Sequence, residues 1–214
     1  HSTGSGSFTL KKIPVVITGK DVTIQYNTGT TYTIKVTKDG KGVNGVYVFV
    51  RLYSTAKKYK DYIFQTDKNG KLSFSASLAV GKHKIIVTSA DTRYDAKQIT
   101  KTITVKKAKA KISAKKVKTY YKSGKTFNMK LINSKNKKPI YDAKINFKFY
   151  NTKNRVFTAS SRTALNGQIK LLLDGLKPDT YKVVITGADN KNFEAKKVTT
   201  KLVIKKAPAK ISIS

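Results

Sequence analysis

Lys115-Lys116-Val117-Lys118-Thr119-Tyr120-Tyr121-Lys122-Ser123-Gly124-Lys125-Thr126-Phe127-Asn128-Met129-Lys130-Leu131 decides how the chain is to be read. A diverged copy stands earlier, as Lys20-Asp21-Val22-Thr23-Ile24-Gln25-Tyr26-Asn27-Thr28-Gly29-Thr30-Thr31-Tyr32-Thr33-Ile34-Lys35-Val36. Gly29 and Gly124 lie 95 residues apart. Working outward, Thr66-Asp67-Lys68-Asn69-Gly70 matches Thr163-Ala164-Leu165-Asn166-Gly167 at 97, residues 78–88 lie over 176–186 at 98, and residues 105–112 lie over 204–211 at 99. The slow drift places one-residue insertions in loops of the second copy. The chain is therefore a tandem repeat, and its function belongs to a repeating module rather than to one catalytic centre.

The repeat divides the 214 residues into a lead-in, residues 1–10, a first module over 11–107, a second over 108–206, and a tail, 207–214. Each module falls within the ordinary size of a single domain. His1-Ser2-Thr3-Gly4-Ser5-Gly6-Ser7 reads as an expression scar, and Lys210-Ile211-Ser212-Ile213-Ser214 as the opening of a third copy. Lys106-Lys107-Ala108-Lys109-Ala110 is too short and too continuous with strand sequence for a flexible tether, so a stiff connection is expected.

Within each module the apolar residues alternate with period two. In Lys144-Ile145-Asn146-Phe147-Lys148-Phe149 one face is apolar and the other carries lysine, the pattern of a half-buried strand. Strands are expected over residues 10–18, 32–36, 46–52, 59–65, 71–74, 84–88 and 99–105, and again over 110–117, 126–132, 143–150, 156–160, 168–173, 181–186 and 198–204. Asn69-Gly70 and Asn166-Gly167 mark tight turns. No segment sustains helical spacing. The fold class is all-β: two tandem antiparallel β-sandwiches of immunoglobulin-like type. With neither cysteine nor tryptophan, they are not antibody-type domains.

Charge is the dominant compositional fact. Lys+Arg number 45 against 11 Asp+Glu, for +34, and only Arg51, Arg93, Arg155 and Arg162 are arginine. Lysine is a hydrated point charge, suited to diffuse attraction toward polyanions rather than forked recognition of bases. No cysteine means no disulfide and no thiolate metal site, and no apolar run approaches the length of a membrane span.

Catalytic and metal-binding residue types are scarce, and no catalytic, cofactor or metal residue is nominated. Outside the scar the one histidine is His83, whose repeat partner is Tyr181; both read as packing residues at a sandwich corner. Asp91-Thr92-Arg93-Tyr94-Asp95 and Asp189-Asn190-Lys191-Asn192-Phe193-Glu194 are equivalent loops whose paired carboxylates could hold Ca²⁺, although each contains a basic residue. Tyr94 and Phe193 read as loop aromatics folded onto the core. A Lys–Asn isopeptide bond formed beside a buried acid is a further possibility that abundance alone does not support. No carboxylate pair can be placed together for glycoside hydrolysis.

Val117-Lys118-Thr119-Tyr120-Tyr121-Lys122-Ser123-Gly124-Lys125-Thr126-Phe127, with Lys137-Lys138-Pro139-Ile140, Asn166-Gly167, Leu176-Lys177-Pro178-Asp179-Thr180-Tyr181 and Gly187-Ala188-Asp189-Asn190, resembles the immunoglobulin-like repeat of adhesin-like surface proteins of methanogenic archaea. The resemblance covers residues 11–206 and is clearer in the second module. In the first, Val80-Gly81-Lys82-His83 replaces Pro-Gly-Thr-Tyr, and Gly42 replaces a proline. It implies an extracellular protein of the cell surface or wall whose repeats act as stalk or adhesive units, and the residues themselves lead us to expect a non-enzymatic monomer without membrane insertion and without a cofactor. Its partners would be anionic surface polymers or receptors of a partner cell. The competing reading is a nucleic-acid-binding protein, favoured by the pI near 10.2 and twelve tyrosines able to stack on bases, and opposed by the scarcity of arginine.

Overall fold

A computed structural model of the chain describes residues 9–75, 77–187 and 191–209. The leading residues read above as an expression scar, residues 210–214 read as the opening of a third copy, and Asp189 with Asn190 lie outside the described residues. The chain falls into two compact units that divide between Lys106 and Lys107.

In the first unit the strands are β1 (Ile13–Pro14), β2 (Val16–Thr18), β3 (Val22–Gln25), β4 (Thr31–Lys38), β5 (Lys41–Gly42), β6 (Tyr47–Tyr53), β7 (Tyr59–Gln65), β8 (Lys71–Ser75), β9 (Gly81–Ser89), β10 (Tyr94–Asp95) and β11 (Ile99–Lys106). One sheet runs β3-β11-β9-β6-β7, and in the other β4 pairs with β2, β5 and β8. The second unit holds β12 (Ala108–Ala114), β13 (Val117–Tyr120), β14 (Thr126–Asn133), β15 (Lys144–Tyr150), β16 (Val156–Arg162), β17 (Gln168–Leu172), β18 (Asp179–Gly187), β19 (Phe193–Ala195) and β20 (Val198–Lys205). Its sheets are β13-β20-β18-β15-β16 and β17-β14-β12-β19. Both units are all-β, immunoglobulin-like sandwiches.

The pleat sends alternate side chains to opposite faces, and burial follows it. Along β15, Ile145, Phe147 and Phe149 are buried while Lys144 and Lys148 are exposed. In the second unit Phe127 meets Phe147 and Phe149 edge-on, with ring centroids 6.3 and 6.1 Å apart. The first unit fills the same space mainly with β-branched residues, among them Ile34, Val36, Val48, Val50, Ile85 and Val87, all fully buried. Each such side chain contributes roughly 1.5–3 kcal/mol of burial.

The opening strand of each unit departs from expectation. Residues 110–117 read as one strand, yet β12 ends at Ala114 and Val117 begins β13 in the opposite sheet. The reason is a slip of register: Ile112 and Ala114 point inward, and so do Val117 and Thr119, so the exposed pair Lys115-Lys116 breaks the period of two. After the crossing, β13 lies parallel to β20, as β3 lies parallel to β11, and the shorter pairs β1–β10 and β12–β19 are parallel too. The other pairings are antiparallel. In the first unit the crossing passes Gly19, where a Cβ would meet Tyr32 Oη at 2.8 Å. Tyr32 Oη donates to the Lys20 carbonyl at 2.8 Å, and burial pushes that hydroxyl up to about 12.

Buried polar devices repeat as well. Thr66 Oγ1 accepts from Val46 N at 2.9 Å, and Thr163 Oγ1 accepts from Ala143 N at 3.0 Å. Asn69-Gly70 and Asn166-Gly167 form the expected turns. Asp67 Oδ1 accepts from Asn69 N and Lys71 N, and Asn166 Oδ1 accepts from Gln168 N. Gly167 has φ +75, and a Cβ there would fall on the Leu131 carbonyl oxygen and against Pro139. Gly124 has φ +72 with open space around it.

This contrast gives a test. Gly124→Ala, which meets backbone strain alone, is expected to cost about 1 kcal/mol. Gly167→Ala adds a clash with backbone and is expected to cost roughly 2–4 kcal/mol. Urea midpoints of the two variants check the order; equal losses would contradict the packing described for the 166–167 turn.

Candidate functional site

His83 and Tyr181 occupy one structural position. His83 is buried on β9, its Nε2 2.7 Å from the Ala79 carbonyl oxygen and its Nδ1 3.0 Å from that of Tyr53. On β18, Tyr181 is buried, and its hydroxyl donates at 2.7 Å to the Lys177 carbonyl, again four residues back. Burial raises the Tyr181 hydroxyl above its ordinary range, with Asp179 adding to it. Each ring therefore ties its strand to the preceding loop. No nucleophile or carboxylate is among the hydrogen-bond partners of His83.

The loop acids separate in the same way. Asp91 is buried and fully used by the protein: Oδ2 accepts from Tyr47 N at 3.0 Å, Oδ1 accepts from Arg93 N and Nε, and an Arg93 Nη2–Oδ2 contact of 2.9 Å closes the pair. The Arg93 guanidinium holds the carboxyl well below the usual carboxylate range, against the opposing effect of burial. Its oxygens are thereby turned to the chain's own donors. In the equivalent loop Asp189 lies outside the described residues. Among the described residues no three or more His, Cys, Asp or Glu stand close enough to share a metal ion. Tyr94 and Phe193 pack against their cores as expected.

Lysine takes the outside. No described lysine is buried, and only Lys35 and Lys101 are partly covered. An isopeptide bond needs a buried lysine, and the described residues offer none. The ion pairs among the described residues, Arg51–Asp61, Arg93–Asp91 and Arg162–Asp142, all use arginine. Among the described residues no lysine forms an ion pair with a carboxylate, although Lys84 and Lys182 lie over the rings of Tyr53 and Tyr150. On the outer face of the second unit's larger sheet, Lys144 and Lys148 of β15, Lys182 of β18, and Lys201 and Lys205 of β20 share one side.

The matching face of the first unit differs, and sequence reasoning missed it. Tyr47, Phe49, Arg51 and Tyr53 of β6 stand opposite Gln65, Ile63, Asp61 and Tyr59 of β7. Arg51 grips Asp61 through two hydrogen bonds of 2.7 and 2.8 Å, and its guanidinium lies 4.0 Å from the Tyr59 ring centroid. Those bonds hold the Asp61 carboxyl below its ordinary range. Lys84 Nζ sits 4.2 Å from the Tyr53 ring centroid. The signal in the sequence was the alternation of β6, Tyr-Val-Phe-Val-Arg-Leu-Tyr, in which the outward positions are aromatic as well as the inward ones apolar.

No protein-family model matches the chain, and no curated protein matches it in sequence. Among solved structures, the bacterial integrin-binding protein invasin is 14% identical, with a TM-score of 0.46 over 88% of this chain and 39% of its own. A two-domain fibronectin type III segment of chicken tenascin is 11% identical, with a TM-score of 0.44 over 86% of this chain and 98% of that one. A tetra-tandem repeat from the extending region of a large adhesion protein is 11% identical, with a TM-score of 0.38 over 87% of this chain, which spans 47% of its length. At these values no function is carried across, and the fold assignment rests on the strand pairing above.

Two outcomes follow for the residues placed here. His83→Ala is expected to destabilise the first unit by roughly 3 kcal/mol while leaving binding to polyanions unchanged; a loss of binding without a loss of stability would make His83 a functional residue. Asp91→Asn is expected to cost about 2 kcal/mol at neutral pH. The folded carboxyl titrates below its unfolded value, so its stabilisation is complete above about pH 5 and is lost as pH falls through the folded value. Wild-type stability should therefore decline on acidification more steeply than that of the Asn variant, and superimposable urea curves at every pH would contradict the clamp.

Proposed function

We propose that the chain is a non-enzymatic segment of a cell-surface adhesin or stalk, its modules over residues 11–107 and 108–206 attaching to anionic polymers or receptors on other cells through lysine. The observation that carries this reading is the outward array of lysines, none of them in an ion pair among the described residues, on sandwiches whose described buried side-chain polar atoms all have hydrogen-bond partners. Charges held apart on a rigid scaffold sum to a positive field without requiring one reactive pocket. An extracellular, wall-associated location and an archaeal source follow the resemblance of residues 11–206 to methanogen surface repeats. No helix among the described residues is long and apolar enough to cross a membrane.

The test sets poly-L-glutamate against single-stranded DNA, each at about 0.05 and about 0.5 M NaCl, where the screening length falls severalfold. Binding to both polymers is expected at low salt and is lost at high salt, and acetylating the lysines removes it. Selective binding of DNA that survives high salt would instead favour recognition of nucleic acid, and no binding at low salt would remove the electrostatic reading altogether.

A further inference from the structure

The two units bury equivalent residues and part company on one outward face. On the first unit's larger sheet Tyr47 and Tyr59 are each 47% exposed, Ile63 is 64% exposed, and Phe49 lies half-buried between them. The same register positions of the second unit hold Lys144, Val156, Ser160 and Asn146. Where the first unit pairs Arg51 with Asp61, the second sets Lys148 beside Thr158. The second sandwich closes its core without any of these aromatics, so the fold does not require them. Exposed aromatic groups gathered on one face of a strongly charged protein mark a contact surface.

We propose that this face, the outer side of β3-β11-β9-β6-β7, binds an acidic polysaccharide. The inference rests on the polyanion reading above for the charge of its ligand and adds the ligand's chemistry. A pyranose ring presents C–H groups on one face and hydroxyls around its edge. Exposed aromatic rings such as Tyr47 offer a flat apolar surface to the first at little entropic cost, since two torsions fix each ring, while Arg51 covers one face of Tyr59. The Arg51–Asp61 pair suits the second: guanidinium N–H groups and carboxylate lone pairs stand side by side, with 32% and 38% of the two side chains still in water.

That pair also separates a glycan from a protein partner. A protein docking here would have to strip the remaining water from the Arg51–Asp61 pair and answer both charges with hydrogen bonds of its own, a costly exchange. Hydroxyls replace that water group for group. Threonines extend the polar part of the face, with Thr100, Thr102 and Thr104 of β11 turned outward opposite Ile86, Lys84 and Lys82 of β9. The two carboxylates of the region are both engaged, Asp61 by Arg51 and Asp21 by Thr102 N. Exposed Lys82 and Lys106, with Lys84 over the Tyr53 ring, stand on this face to meet carboxylates on the sugar chain.

The second unit supplies the test variant: Tyr47→Lys, Phe49→Asn and Tyr59→Val together, in the full chain, with sodium polygalacturonate and poly-L-glutamate of similar length as probes. The substitutions add one positive charge, so attraction by charge alone predicts equal or tighter binding to both polymers. Stacking predicts the opposite for one of them. Wild-type is expected to prefer polygalacturonate, to retain part of that binding at about 0.5 M NaCl, and to lose roughly tenfold in affinity for it in the variant while polyglutamate binding is unchanged or stronger. Equal affinity for both polymers, unaltered by the variant, would overturn the site and leave the polyanion reading standing. Salt-resistant preference for polyglutamate, abolished in the variant, would overturn it in favour of an acidic protein partner. Failure of wild-type to bind either polymer at low salt would overturn both readings.

Discussion

Every strand of a two-sheet sandwich has one side that folding must bury and one side that folding leaves alone, and the pleat enforces the division residue by residue. The central strands show it most plainly: Ile145, Phe147 and Phe149 on β15 correspond to Val48, Val50 and Leu52 on β6, all buried. The residues differ in volume while the architecture persists, because the second unit balances its three phenylalanines against smaller neighbours and the first does the same work with valine and isoleucine. The outward side bears no such constraint. There the second unit carries lysine and the first carries a tyrosine-rich face around a guanidinium–carboxylate pair.

Much of this was legible from residue order alone. Period-two alternation located most of the strands that form both cores but not β3, Asn-Gly located the turns, and alignment of His83 with Tyr181 foretold that both would be packing residues. Each then proved to bond a carbonyl oxygen four residues back. What escaped was whatever depends on two segments meeting. The crossing from β12 to β13 shows in the sequence as a skipped beat at Lys115-Lys116, but the parallel partner β20 lies some eighty residues on and leaves no local mark.

The candidate surface was illegible for the same reason. Nothing in the separation of Arg51 from Asp61, or of Phe49 from Ile63, shows that antiparallel pairing of β6 with β7 sets them face to face. Asp91 posed the reverse problem: a loop acid beside another acid suggests a cation site, whereas burial under Arg93 and the Tyr47 amide turns it into a structural anchor. Composition pointed to a polyanion and was silent on where an aromatic face would be assembled.

The central claim is that the outward lysines serve contact and not the fold. It is tested most directly by the urea midpoint of a variant in which Lys144, Lys148, Lys182, Lys201 and Lys205 are all replaced by Gln, measured beside Phe147→Ala. The account predicts that the five-fold variant unfolds at or slightly above the wild-type midpoint, since like charges have been removed, while Phe147→Ala loses roughly 3–5 kcal/mol. A five-fold variant that unfolds as readily as Phe147→Ala would contradict it.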